Sequence, residues 1–290
     1  MRLAAKWQAS WDWVRGFEQV PVESVRVGGG WVDVVRLGRG DPLVVVPGLA
    51  GGWKLLWPLA RGLARHFEVF LPGLRGDRPR IAGTGEEPGQ VGDLGVYAAD
   101  LSVLMDQLGL ANPSVLGVSF GGAVALELAV EHPHRLSGLV VHGAEARFRP
   151  SLGSVITRRV LERFPLPSDS HFVNQFFHLL YGRKPEPGPL VDFVIDRIWE
   201  TEQSVMARRL AQLESFDVSD RLWRIDVPTL VLAGDRDVIV PADRQRALAE
   251  AISGARFEVV DDAGHIGFLT HRAEVILSIC KHLKWVKAAV

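Results

Sequence analysis

The chain has 290 residues with a formal net charge of −1, and 47% of its residues are hydrophobic against 23% charged. A near-neutral charge argues against a nucleic-acid-binding surface. The single cysteine, Cys280, excludes an intrachain disulfide and is expected to pack as a small hydrophobic residue. This length and apolar content suit one α/β domain with an insertion.

Residues 1–20 are predicted to form an amphipathic segment. Four apolar side chains fall on one helical face, namely Leu3, Trp7, Trp11 and Val14. We expect this face to dock on the protein's own body or on a partner subunit, and in the second case the protein would be a homo-oligomer. A membrane-surface helix is the weaker alternative, because the polar face is not strongly basic. With no apolar run of about 18 residues and no signal-peptide core, a cytoplasmic protein is expected.

The first half of the chain predicts a hairpin followed by alternating strands and helices. Short apolar runs bounded by glycine or proline indicate buried strands, and 3.6-residue periodicity indicates helices. The hairpin joins residues 22–27 to residues 31–37, further strands are predicted at 43–46, 67–71, 114–118 and 136–142, and helices at 55–66, 94–108 and 122–130. Pro58 is expected to be tolerable only near the first turn of its helix. Gly109 stands where a helix C-terminal glycine belongs.

Residues 145–216 interrupt this alternation with several helix-like stretches and no good strand. Alternation then resumes with strands at 229–233 and 256–260 and helices at 242–252 and 273–285. We therefore predict an α/β fold with an eight-stranded, mostly parallel sheet covered by helices on both faces. Its core comprises residues 21–144 and 217–290, and residues 145–216 form an inserted helical cap.

The pentapeptide Gly117-Val118-Ser119-Phe120-Gly121 joins a predicted strand to a predicted helix. A Gly-x-Ser-x-Gly turn in this context exposes its serine above a parallel sheet as a nucleophile. Gly117 and Gly121 are predicted to be structural, because the turn brings backbone segments close together. On the five residues alone, a glycine-containing turn with a solvated serine is an equal alternative.

Polar residues follow three of the predicted strands, and ligands bind beyond the carboxyl ends of strands in such sheets. Ser119 follows the fifth predicted strand, and Asp235 and Asp237 follow the seventh. The eighth strand is followed by aspartates at 261 and 262 and then by His265. The serine needs a neutral imidazole as base, and the imidazole needs a carboxylate to orient it. The chain order serine, acid, histidine is the order expected of an α/β-hydrolase.

With these motifs, the chain resembles the α/β-hydrolase superfamily from about residue 22 onward, in its esterase-like branch with a serine nucleophile and a helical lid. The resemblance is strongest in residues 117–122, 234–241 and 264–265. It implies that Ser119 is the nucleophile and His265 the base. It also selects Asp237 as the acid, because in these enzymes the acid precedes a short apolar segment and a proline, as residues 237–241 do. Asp235 is then a loop-capping residue.

The resemblance also implies an oxyanion hole formed by the amides of Leu49 and Phe120. The family usually shows His-Gly before the first donor, whereas this chain has Pro47 and Gly48. The amide of Leu49 is unaffected by this departure. In a second departure, Gly73 stands where relatives often have aspartate.

These features predict a serine hydrolase that cleaves a carboxylic ester of a small or medium apolar substrate through an acyl-enzyme. A serine at position 119 disfavours the branches with a carboxylate nucleophile. The alternatives are a C–C bond hydrolase, a perhydrolase or an acyltransferase with the same three residues, and a non-catalytic ligand-binding receptor. No metal site and no cofactor are expected, because histidine pairs with helical ligand spacing and nucleotide-binding glycine motifs are absent from the sequence.

Overall fold

The computed structural model describes residues 16–28, 30–77, 94–150, 152–170, 174 and 177–288. The predicted N-terminal segment therefore lies outside the described residues except for residues 16–20. Within these, the ring of Phe17 packs edge-on against Trp53 at 6.4 Å, so this end of the segment contacts the protein's own body.

The described strands form one eight-stranded sheet in the order β1-β2-β4-β3-β5-β6-β7-β8. The strands are β1 (Val22–Val27), β2 (Gly30–Gly38), β3 (Pro42–Val46), β4 (Glu68–Pro72), β5 (Ser114–Val118), β6 (Gly138–His142), β7 (Thr229–Gly234) and β8 (Arg256–Val260). Strand β2 is antiparallel to both its neighbours, and all other pairs are parallel. The predicted sheet is thus confirmed, and the parallel strands direct their carboxyl ends to one edge.

Helices cover both faces of the sheet. They are α1 (Gly52–Leu63), α2 (Leu94–Gln107), α3 (Phe120–Glu131), α4 (Leu152–Arg163), α5 (Pro189–Trp199), α6 (Gln203–Glu214), α7 (Ala242–Ala251), α8 (Gly267–Thr270) and α9 (Arg272–Ala288). Strand β3 shows that both faces are buried: Leu43 and Val45 belong to the cluster that includes α1 and α9, whereas Val44 and Val46 belong to the cluster that includes α2, α3 and α7. Continuous apolar runs are what such doubly covered strands require. Cys280 is buried in the α9 layer, as predicted.

Helix α1 differs from its prediction. It begins at Gly52 rather than at residue 55, because Gly51 adopts a left-handed conformation with φ 80° and its carbonyl accepts the amide of Leu55. Pro58 therefore lies in the helix interior, where it removes one backbone hydrogen bond. Burial of most of this helix offsets that loss, since tertiary packing supplies most helical stability.

The segment between β6 and β7 contains α4, α5 and α6. Its two ends lie side by side: Phe148 N donates to Phe216 O at 3.3 Å, and Val218 N donates to Ala146 O at 2.9 Å. An isolated antiparallel bridge joins Arg147 and Asp217 between them. The inserted segment thus begins and ends at one place, and its role as a cap stays a prediction. In the part of the chain that the structure describes, no helix is long and apolar enough to cross a membrane.

Candidate active site

Ser119 lies between the carboxyl end of β5 and the start of α3. Its backbone has φ 54° and ψ −117°, an unfavourable conformation for a residue with a Cβ. The turn is held because Ser119 N donates to His142 O, and Ser119 O accepts the amides of Gly122 and Ala123. Strain of this kind concentrates at functional sites, and a sharp strand-to-helix turn is the setting in which a serine nucleophile is exposed.

Both glycines of the pentapeptide are required by close backbone approach. A Cβ at Gly117 would overlap the backbone of Gly121, and a Cβ at Gly121 would overlap the carbonyl oxygens of Val46 and Pro47. The turn therefore packs directly on the loop that follows β3, and no side chain at either position fits between the two backbones.

Ser119, His265 and Asp237 form one hydrogen-bonded chain across the carboxyl edge of the sheet. His265 Nε2 lies 2.9 Å from Ser119 Oγ, and His265 Nδ1 lies 2.8 Å from Asp237 Oδ2. A carboxylate can only accept, so Nδ1 carries the proton and the Nε2 lone pair faces the serine hydroxyl. The arrangement can remove the hydroxyl proton as the oxygen attacks an electrophile.

Asp237 is held as a buried carboxylate. Its Oδ1 accepts the amides of Ile239 and Val240, both at 2.9 Å. Burial alone would raise the pKa of Asp237, yet the adjacent His265 and these two amides hold that pKa below its ordinary value. The acid therefore remains ionised beside the imidazole.

The competing aspartates are placed elsewhere. Asp235 and Asp261 have exposed side chains, and Asp262 pairs with Arg183 and Arg236 at 3.0 and 2.8 Å. Of the four aspartates considered from sequence, the structure brings only Asp237 to the histidine.

Gln245 on α7 supports this acid and was not anticipated from sequence. Its buried side chain donates from Nε2 to Val240 O at 2.7 Å and lies 3.4 Å from Asp237 Oδ2, while its Oε1 accepts Gly143 N at 3.1 Å. It thereby ties the loop after β7 to the loop after β6. A glutamine at a helix start carries no sequence signal that would mark this role.

The two predicted oxyanion donors flank Ser119. Phe120 is the first residue of α3, so its amide has no acceptor within the helix. Leu49 lies in the loop after β3, where Gly48 comes so close that a Cβ built there would be 3.6 Å from Ser119 Cβ. Phe120 thus follows the nucleophile directly, and the loop that carries Leu49 comes close to it through Gly48.

A second histidine, His142, lies buried at the end of β6 below the site. Its Nδ1 donates to Leu232 O at 2.7 Å, and its ring packs edge-on against Phe268 at 6.0 Å. Nε2 has no hydrogen-bond partner among the described residues. Burial lowers the pKa of His142, so the ring is held neutral.

Within the described residues, no group of three or more histidine, cysteine, aspartate or glutamate side chains is arranged to hold a metal ion.

Comparisons with known proteins agree with this fold. A profile of the alpha/beta hydrolase fold matches residues 41–272. A RutD protein of Caulobacter sp. (strain K31), whose name proposes carbamate hydrolysis, is 30% identical over 226 residues, covering 77% of this chain and 83% of that protein. The pyrrolizixenacetamide deacetylase of Xenorhabdus hominickii is 27% identical over 267 residues, covering 88% and 96%. The structure of a thermophilic esterase from Thermogutta terrifontis superposes with a TM-score of 0.76 at 26% identity, covering 92% and 99%.

The close contact at Gly121 leads to a stability prediction. Gly121→Ala should destabilise the protein by about 3 kcal/mol or more, because the new methyl group overlaps two rigid carbonyl oxygens. Gly30→Ala is the matched control, since a Cβ at Gly30 meets nothing within 4 Å. Urea unfolding compares the two, and equal midpoints would contradict the packing described.

The buried His142 makes stability depend on pH. The folded state keeps its pKa below the ordinary 6.5, so the unfolded chain takes up a proton first and stability falls as pH drops below that value. Unfolding at pH 7.5 and at pH 5.5 compares the two sides of that value. His142→Asn, which retains a donor toward Leu232 O, should show a smaller loss in urea unfolding at the two pH values. An identical loss in both proteins would refute this assignment.

Proposed function

The chain belongs to the α/β-hydrolase family, and on that premise we propose that it is a serine hydrolase cleaving a carboxylic ester of a small or medium apolar substrate. The observation that carries the proposal is the unbroken hydrogen-bonded chain from Ser119 Oγ through His265 to Asp237. A binding protein needs no such chain, so the receptor alternative lacks support.

In this proposal, His265 Nε2 takes the proton of Ser119 as the serine oxygen attacks the ester carbonyl. Asp237 keeps the imidazole in the required tautomer and stabilises the imidazolium. The proton then passes to the departing alkoxide, which leaves as the alcohol, and an acyl group remains on Ser119. Water enters, His265 takes its proton in turn, and attack on the acyl carbon releases the carboxylic acid and the free serine.

The negative charge that develops on the carbonyl oxygen requires preorganised donors. We assign these to the amides of Leu49 and Phe120. The position of Phe120 at the start of α3 supports the assignment, because the helix dipole also favours negative charge there.

The apolar character of the substrate is inferred from the surroundings of Asp237. Val238 and Ile239 follow the acid directly and expose 54% and 38% of their surface, at the edge of the sheet that carries Ser119. We propose that residues 145–216 act as a cap over this edge, with Phe177 and Trp199 packed against each other at 5.8 Å within it. Apolar side chains around a few polar groups are typical of small-molecule sites.

Amide hydrolysis is the second candidate, and it uses the same three residues with an amine as the leaving group. It is favoured by the similarity to the Xenorhabdus deacetylase, which extends over 96% of that protein. The C–C hydrolase alternative is supported by a shorter likeness, to the 2-hydroxy-6-oxo-6-phenylhexa-2,4-dienoate hydrolase of Comamonas testosteroni, which is 30% identical over 59% of this chain. For the perhydrolase and acyltransferase alternatives, no side chain of the site gives specific support.

The nucleophile can be tested with a fluorophosphonate probe and with p-nitrophenyl butyrate. We expect the probe to label Ser119 and a rapid quench to trap a butyryl group there, both detected by mass spectrometry. Ser119→Ala should lower kcat by about four orders of magnitude or more, because the three residues act as a unit.

Ser137→Ala is the matched control for this experiment. Ser137 is an exposed serine whose Oγ lies 3.0 Å from Ser114 Oγ, at the opposite edge of the sheet. Turnover in Ser137→Ala should equal that of the wild type. A folded wild-type protein that carries no label on Ser119 would refute the proposed function.

The identity of the acid gives a second test. Asp237→Asn should lower kcat by about 10⁴-fold, because an amide no longer selects the productive tautomer of His265. Asp235→Asn, only two residues away but exposed, should leave kcat within about threefold. Similar losses in the two variants would exclude Asp237 as the specific partner of the histidine.

A further inference from the structure

Arg209 on α6 is a fully buried cation outside the hydrogen-bonded chain of the site. Its side chain has no solvent exposure, and its guanidinium lies against the rings of Phe120 and Tyr97 at 5.7 and 6.0 Å. Burying a charge is costly unless it is paired and hydrogen-bonded. Asp77 supplies the pair, with its Oδ1 at 2.8 Å from Arg209 Nη2.

The other donors of Arg209 connect two loops. Nη1 donates to Leu49 O at 2.8 Å, and Nη2 donates to Arg75 O at 3.0 Å as well as to Asp77. Asp77 in turn accepts Leu74 N at 2.7 Å. The guanidinium thus bridges the loop after β3 to the loop after β4. Apolar side chains could fill the same volume at no loss of stability, so packing alone does not explain a cation here.

The loop after β3 has a second anchor on the same inserted segment. We call residues 47–51 the oxyanion loop. Gly51 N donates to the hydroxyl of Thr201, a buried side chain, at 3.0 Å. Arg209 and Thr201 therefore hold the loop at two points, one through a carbonyl and one through an amide. The peptide group that contains the Leu49 N–H lies immediately before the carbonyl that Arg209 binds.

We propose that Arg209 is a positioning residue that fixes the oxyanion loop, with Thr201 as its second support, so that the Leu49 amide faces the carbonyl oxygen of the substrate. The inference rests on the proposed function, since it presupposes an oxyanion at Ser119. It makes the inserted segment part of the machinery for transition-state stabilisation, in addition to its proposed role as a cap. The group acts through Leu49 and touches no substrate.

The test uses Arg209→Lys, which retains the positive charge beside Asp77 but not the planar set of donors that reaches both loops. We expect kcat for p-nitrophenyl butyrate and the rate of fluorophosphonate labelling at Ser119 to fall about tenfold or more, with KM changed less than about threefold. The pH dependence of kcat should not change, because Asp237 and His265 are untouched. A merely structural defect would instead lower the folded fraction or alter KM and the pH profile.

Arg158→Lys is the matched control. Arg158 lies on α4 of the same segment and pairs with Glu214 and Glu162, away from the oxyanion loop. It should leave kcat and labelling unchanged. Thr201→Val, a nearly isosteric change, serves as an independent variant should Arg209→Lys fail to fold, and it should lower both rates by about threefold while KM stays constant.

The outcomes separate the two proposals. A wild-type protein that is not labelled at Ser119 overturns the proposed function and this inference with it. In the other case, the wild type is labelled and active while folded Arg209→Lys, or Thr201→Val as its substitute, is labelled and active to the same extent. That result overturns the role of Arg209 and leaves the proposed function standing.

Discussion

The close approach of two backbone segments at the carboxyl edge of the sheet is the constraint on which the site depends. Position 121 accepts only glycine because the turn after β5 packs on the loop after β3, and position 117 accepts only glycine because the turn folds back on its own strand. Ser119 is held between them in a conformation that costs about 1–3 kcal/mol for a residue with a side chain. The large doubly covered core offsets that cost, and the result is a serine whose oxygen lies within hydrogen-bond distance of an imidazole.

The core and the inserted segment both support the site. The acid half is held by the α/β core, since Asp237 is fixed by amides of its own loop and by Gln245, which reaches back to Gly143. The loop that carries Leu49 is bound by Arg209 and Thr201 of the inserted segment. That segment also contacts the loop of His265, where Ile266 N donates to Leu180 O at 3.1 Å, so changes in it reach both sides of the site.

Most of the sheet could be predicted from sequence because its strands are short apolar runs bounded by glycine and proline. The eight strands and the longer helices of the described core have their predicted types, whereas the short helix α8 was not predicted. The start of α1 was wrong because Gly51 begins the helix through its left-handed backbone, which no periodicity reveals. The three residues of the hydrogen-bonded chain were predictable because each follows a strand at one edge. Asp237 was separated from Asp235 only by resemblance, whereas the structure separates them by burial.

The supporting residues could not be predicted for a physical reason. Three supporting side chains form hydrogen bonds with residues 90 or more positions away in the sequence, namely Gln245, His142 and Arg209. Gln245 also forms hydrogen bonds within its own loop. Nothing in their local sequence distinguishes them from an ordinary helix or strand residue. Arg209 in particular stands in an amphipathic helix beside Arg208, and only the fold decides which of the two is buried.

The side-by-side ends of the inserted segment allow the segment to vary independently of the sheet. Because residues 146–148 and 216–218 already pair across the base, the segment can change in length or be exchanged without shifting the register of any strand. Under its proposed role as a cap, exchange of this segment would change the substrate preference while the sheet stays the same. An incoming segment must supply a buried cation that reaches Leu49 O and Asp77, because Asp77 otherwise keeps a buried negative charge without its cation. It must also supply a carbonyl for Ile266 N, which now binds Leu180 O.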